Sequence, residues 1–166
     1  INLPKTAFSM KANLSEKEIS WLEFWKKKKV YENLKKNNKN NKKFILHDGP
    51  PYANGDLHLG HALNKILKDI ICRFKFQNSC DVDFVPGWDC HGLPIEWKVE
   101  ENYKKSGKNK NQIEISKFRQ ECRNFAKSWV EIQKNQFNRF GIQTDWKEVY
   151  LTMNEDSELT IVSELL

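Results

Sequence analysis

The sequence predicts an α/β protein, and three stretches carry that expectation. Residues 44–47, Phe-Ile-Leu-His, are a short β-forming run closed by the turn signal Asp48-Gly49-Pro50-Pro51. From residue 59 to residue 74 apolar side chains recur every three or four positions, the period of a helix. Val82, Phe84 and Val85 form a second strand-like run that ends at Pro86-Gly87. Strand, helix and strand within about forty residues is the length of a right-handed βαβ unit with parallel strands. Ligands on such sheets gather beyond the carboxyl ends of the strands, which places Gly49-Pro50, His58 and Trp88-Asp89 around one crevice.

Taken in order, residues 1–14 show no period and read as an extended lead. Ser15 with Glu18 forms a capping box, and Ile19, Trp21, Leu22, Phe24, Trp25 and Val30 give the following helix an apolar side until about Leu34. Aromatic residues at helical spacing are core before they are ligand platforms. The tract NNKNNKK is a loop, and residues 44–47 are a buried strand. In the main helix Leu59, Leu63, Ile66, Leu67, Ile70, Ile71 and Phe74 mark the inner face. Lys65, Lys68, Asp69, Arg73 and Lys75 mark the outer one. Residues 77–79 connect to the second strand, residues 93–101 begin another helix, and residues 102–111 are a loop. Phe118, Cys122, Phe125, Trp129, Ile132 and Phe140 line a long helix stopped by Gly141. Trp146, Tyr150 and Leu151 form an irregular link, and Asn154 caps a last helix.

A chain of 166 residues, 39% of them hydrophobic, can bury one ordinary core. Residue 1 is Ile, and residues 157–166 are an amphipathic pattern without a stop signal, so the chain reads as incomplete. The net charge of +6 suits a nucleic-acid partner, but the lysine and asparagine runs that supply much of it read as solvated surface. Four scattered cysteines, no signal peptide and no long apolar span point to a reducing compartment. Cys72 and Cys122 read as small core residues, and Cys90-His91 lacks the second close pair that zinc would need. There is no GxGxxG dinucleotide fingerprint and no GxSxG elbow.

The chemistry concentrates at the mouth of the main helix. His58 and His61 stand three apart in its first turn, with Gly60 between them. A helix start carries unpaired N–H groups and partial positive charge, which favour phosphate, and bare glycine backbone admits a flat ring. One of the two histidines could instead simply cap the helix.

His58-Leu59-Gly60-His61 resembles the HIGH signature of class I aminoacyl-tRNA synthetases. Its surroundings resemble the isoleucyl branch of that family, of bacterial or organellar type. The matching blocks are residues 48–55, DGPPYANG, residues 64–69, NKILKD, and residues 86–96, PGWDCHGLPIE. The resemblance implies the first half of a Rossmann-like nucleotide-binding domain over 44–166, incomplete, preceded by a helical N-terminal extension over 1–43. It implies activation of L-isoleucine by ATP to the adenylate and transfer to tRNA(Ile). His58 and His61 would act on the triphosphate as catalytic residues, and His58, Leu59, Gly60 and His61 would form the ATP site. Gly49 and Pro50 would wall the amino-acid pocket, and Asp89 would pair with the substrate ammonium. His91-Gly92 would orient the loop, and Glu96 with Lys98 would form a surface ion pair.

Mg2+ is expected with ATP, no zinc and no membrane are expected, and the full-length enzyme would be a cytoplasmic or organellar-matrix monomer. The family's KMSKS loop, editing domain, second half-fold and anticodon-binding region lie outside these residues, so the chain alone should neither charge tRNA nor fold stably. The alternatives are a valine, leucine or methionine enzyme, and a truncated nucleotide- or RNA-binding module without catalysis.

Overall fold

The computed structural model describes residues 11–166, so most of the predicted lead lies outside the described residues. Helix α1 is Leu14–Lys27 and α2 is Val30–Asn38. They replace the single helix expected to end near Leu34. The break falls in the run of four lysines, 26–29, where Lys29 takes a left-handed φ of 51°. Ser15 does not cap α1: the helix begins one residue earlier, after Asn13, whose side-chain amide donates to Glu16 at 2.7 Å. No α1 residue is buried, and Ile19, Trp21 and Phe24 stay half exposed. Helix α2 is tied down better, through Tyr31 packed edge-on to Phe76 and Lys35 paired with Asp81 at 2.9 Å.

Strands β1 (Lys43–His47) and β2 (Asp81–Val85) pair in parallel, with Lys43 opposite Asp81 and His47 opposite Val85. The parallel βαβ unit stands as read from the sequence. However, β1 is not a buried strand: it alternates exposed and half-buried residues because only β2 flanks it among the described residues. Beyond Pro86, β3 (Gly87–Trp88) pairs in parallel with β4 (Tyr150–Leu151), so the expected irregular link is a strand. Glycine is required at position 87, since a Cβ there would lie 2.9 Å from the Tyr150 carbonyl oxygen.

Helix α3 spans Leu59–Gln77 and turns the opposite way from expectation. Leu59 is 85% exposed and Phe74 59%, with Leu63, Ile66, Leu67, Ile70 and Ile71 also outside. Lys65 and Asp69 are 3% and 7% exposed and face the core with Cys72 and Phe76. The inversion is tolerated because the inward charges are paired. Lys65 meets Asp48, while Asp69 accepts from Arg73 at 2.5 Å and from the Gln143 N–H at 2.9 Å.

Helix α4 is Leu93–Lys105, longer than read, and a short 3-10 turn at Lys110–Gln112 interrupts the expected loop. Helix α5 is Ile115–Arg139, and Gly141 follows it at φ 78°, the left-handed stop that the sequence pattern required. Helix α6 is Glu155–Leu165; Asn154 stands at its N-cap, but its side chain makes no capping bond. The core gathers Val82, Trp88, Ile95, Val130, Phe137 and Cys72 between α5 and the strands. Cys122 is only partly buried, at the seam between this core and a smaller cluster of Val99, Tyr103 and Phe118.

Candidate active site

The histidines of the signature form a reciprocal cap. His58 is the N-cap of α3 and its Nδ1 accepts the Gly60 N–H at 3.1 Å. His61 Nδ1 accepts the His58 N–H at 3.3 Å. The two rings stack, with centroids 3.8 Å apart. An accepting Nδ1 carries no proton, so each neutral ring holds its hydrogen on Nε2. Burial, and then the charge on His58, push the His61 pKa down, which favours that neutral form. Neither Nε2 has a partner among the described residues, so the helix start presents two imidazole N–H donors beside its own amides. The capping role and the phosphate role are therefore compatible: Nδ1 serves the backbone and Nε2 is free.

Gly60 has a nearer reason than a bound base. A Cβ there would sit 2.9 Å from His58 Cε1 and 3.1 Å from Nδ1, so the bare backbone seats the His58 ring. Leu59, the remaining residue of the signature, points outward as the first residue of α3.

Gly49 and Pro50 lie on the turn that leaves β1. Asp48, just before them, extends the ladder by donating its N–H to Val85 at 2.9 Å. Its buried carboxylate contacts Lys65 and accepts from Lys68 at 2.5 Å, which anchors the turn to α3. Burial and then the charge on Lys68 push Lys65 down to about 7, and the carboxylate against it opposes that shift. The same ammonium lies 4.9 Å from the centre of the Phe137 ring.

Asp89 joins this turn through a parallel bridge with Tyr52. Its N–H donates to Pro51 O at 2.8 Å and its carbonyl accepts from the Ala53 N–H at 3.0 Å. The Asp89 carboxylate accepts from the His91 N–H at 3.2 Å and from the Thr152 hydroxyl at 3.4 Å. Thus the turn that carries Gly49 and Pro50 meets Asp89 through Pro51, Tyr52 and Ala53, and the histidine pair follows on the same connection. Trp88 is core, fully buried between Phe137 and Trp146. His91 Nε2 lies 3.0 Å from Glu158, which Arg123 also holds. Glu96 and Lys98 do not pair with each other: Lys110 faces Glu96 and Glu101 faces Lys98.

Sequence reasoning missed two glutamines of α5. Gln133, 1% exposed, accepts the Trp88 indole N–H at 2.8 Å and donates to the carbonyls of Tyr52 at 3.0 Å and Gly55 at 2.7 Å. Gln136 accepts the Leu57 N–H at 3.1 Å and donates to Asp56 at 2.7 Å. The available signal was a polar residue placed four after Trp129 and four before Phe137, in line with the apolar stripe.

A cavity of about 1000 Å³ is lined by Cys90, His91, Gly92, Arg123 and Glu158 rather than by the histidine pair. Among the described residues no group of three or more His, Cys, Asp or Glu side chains could hold a metal ion, and no helix is long and apolar enough to cross a membrane.

Parallel strands joined through a helix whose capped start carries paired imidazoles make this an α/β protein with a polar helix mouth. Residues 20–165 match the family described as tRNA synthetases class I (I, L, M and V), and the chain belongs to that family. Its similar relatives are isoleucine–tRNA ligases. That of Pelagibacter ubique is 61% identical over 165 residues, covering 99% of this chain and 18% of the relative. That of Ruegeria pomeroyi is 51% identical over 166 residues, covering 100% of this chain and 17% of the relative. The chain thus spans under a fifth of the length of these relatives. In fold it resembles the leucyl enzyme of Agrobacterium radiobacter K84, solved as a ternary complex with tRNA and LeuAMS. The TM-score is 0.65 at 20% identity, over 93% of this chain and 18% of that one.

Proposed function

We propose that the chain is the first part of the catalytic domain of an isoleucine–tRNA ligase, over residues 44–166, with 1–43 as a helical extension. The whole protein would activate L-isoleucine with ATP and transfer it to tRNA(Ile). The observation that carries this reading is the reciprocal histidine cap at the start of α3, within a chain 61% identical to an isoleucine–tRNA ligase. Editing of valine, which one methylene discriminates poorly, would fall to a region outside these residues.

The first step asks little acid–base work of the protein. A carboxylate with a pKa of about 3.5 is already ionised at neutral pH and attacks the α-phosphate in line, releasing pyrophosphate. The protein's tasks are alignment and stabilisation of the charge that develops on phosphoryl oxygens. The two Nε2–H groups of His58 and His61, with the amides of the first α3 turn, suit the second task. Asp89, braced by the His91 amide, suits an ammonium, and the Gly49-Pro50 turn would wall the side-chain pocket. Mg2+ would arrive with the nucleotide, held mostly by phosphate oxygens. The 166-residue piece by itself would be inactive, and the whole protein a monomer of the cytoplasm or of an organellar matrix.

The test is amino-acid-dependent exchange of pyrophosphate into ATP by the full-length protein. Isoleucine should support the fastest exchange at saturation. Equal or faster exchange with valine or leucine would reject the assignment.

A further inference from the structure

We infer that Gln133 is a positioning residue that sets the spacing between the amino-acid half and the nucleotide half of the site, an inference that rests on the function proposed above. Its side-chain oxygen holds Trp88, the neighbour of Asp89, and its side-chain nitrogen holds the carbonyls of Tyr52 and Gly55, on the turn that leads to His58. No other described side chain bonds to both segments. The backbone bridge between Pro51–Ala53 and Asp89 joins the same segments along one line, and Gln133 fixes them at a second. Two lines of attachment define an angle where one leaves a hinge.

Gln136, one turn further along α5, continues the hold to Leu57 and Asp56, next to the N-cap histidine. All of the Gln133 bonding is internal and the residue is buried, so it touches neither substrate and acts through Trp88 and the turn. In-line attack is sensitive to such spacing: a displacement of about 1 Å costs about 100-fold in rate.

The experiment uses the full-length protein and compares wild type with Gln133→Met, which keeps volume and loses the hydrogen bonds, and Gln133→Glu. Pyrophosphate exchange is measured with isoleucine and ATP varied separately. For Gln133→Met, kcat should fall about 100-fold, with each KM moved less than about threefold, because positioning is expressed in the transition state. The carboxyl group introduced by the second variant accepts from Trp88 in either protonation state, but donates to a carbonyl only when protonated. Its kcat relative to wild type should therefore climb as pH falls. A merely structural role would lower thermal stability and leave both kcat and the pH ratio near wild type, which would overturn the inference. If Gln133→Met does not fold, the pH ratio of Gln133→Glu decides. Absence of isoleucine-dependent exchange in wild type would reject the function instead, and the same ratios would then be read with whichever of valine, leucine or methionine supports exchange.

Discussion

Helices α3 and α5 are the two longest among the described residues, both with a clear apolar period, yet they sit in opposite senses. Helix α5 puts Phe118, Ala126, Val130 and Phe137 inside. Helix α3 puts Lys65, Asp69, Cys72 and Phe76 inside and leaves seven large apolar side chains on the surface. Periodicity establishes that a helix forms and which face seeks apolar company. It does not say on which side that company stands. On α3 the inward face is held by paired charges and by Phe76 and Cys72, while the apolar face is only partly covered among the described residues, Ile66 by α1 and most of the rest half exposed or more. Sheets of parallel strands carry layers on both faces, and α3 has the two-sided composition of a helix between layers.

The comparison can be broken by substitution. The largest effect belongs to α5: Phe137→Ala removes a fully buried ring stacked on Trp146, and unfolding in denaturant should show a loss of about 3–5 kcal/mol. Next comes the helix mouth. His58→Ala removes one of the two free donors and the N-cap acceptor, and kcat for pyrophosphate exchange should drop about 100-fold or more. Neighbours on α3 should then behave in the reverse of the usual order for an amphipathic helix. Asp69→Ala takes the acceptor from Arg73 Nε, which keeps only the guanidinium's bond to the Gly141 carbonyl, and leaves the Gln143 amide unpartnered, a cost of about 2 kcal/mol after allowing for the partial exposure of Arg73. Ile70→Ser on the open stripe should change stability by less than about 0.5 kcal/mol. If Ile70→Ser proves the costlier of the two, the orientation of α3 given above is wrong.

The acid limb gives a finer contrast. Hydrogen bonds from Lys43 and Lys35 hold Asp81 at about 2, against an ordinary 3.8. A carboxylate with a depressed folded pKa stabilises above its unfolded value and loses that contribution as pH falls through the folded one. The pairing of β2 with these lysines should therefore weaken between about pH 4 and pH 2, and Asp81→Asn should flatten that part of the stability curve.

Much of this was legible beforehand because it rests on local chemistry. The parallel βαβ unit, the α5 stop at Gly141 and the helix start at His58 follow from turn residues and periods within a few positions. The orientation of α3 was not legible, because Lys65 and Asp69 look like surface residues until Asp48 and Arg73 are placed beside them. Strand β4 was missed for a similar reason: Tyr150 and Leu151 are too short a run to read as strand, and their pairing with Gly87-Trp88 is a long-range contact. Gly60 has a further role that its sequence position did not show, as the seat of the His58 ring. Replacing it with alanine should displace that ring and cost the helix its cap, about 1 kcal/mol in a thermal melt.

The most direct test is the nitrogen NMR spectrum of the imidazoles in the full-length protein, recorded with and without ATP at neutral pH. The reciprocal cap requires His58 and His61 to be neutral with protons on Nε2, and both Nε2 resonances should move when ATP saturates. Rings protonated on Nδ1, or Nε2 signals that ATP leaves in place, would contradict a phosphate site at the start of α3.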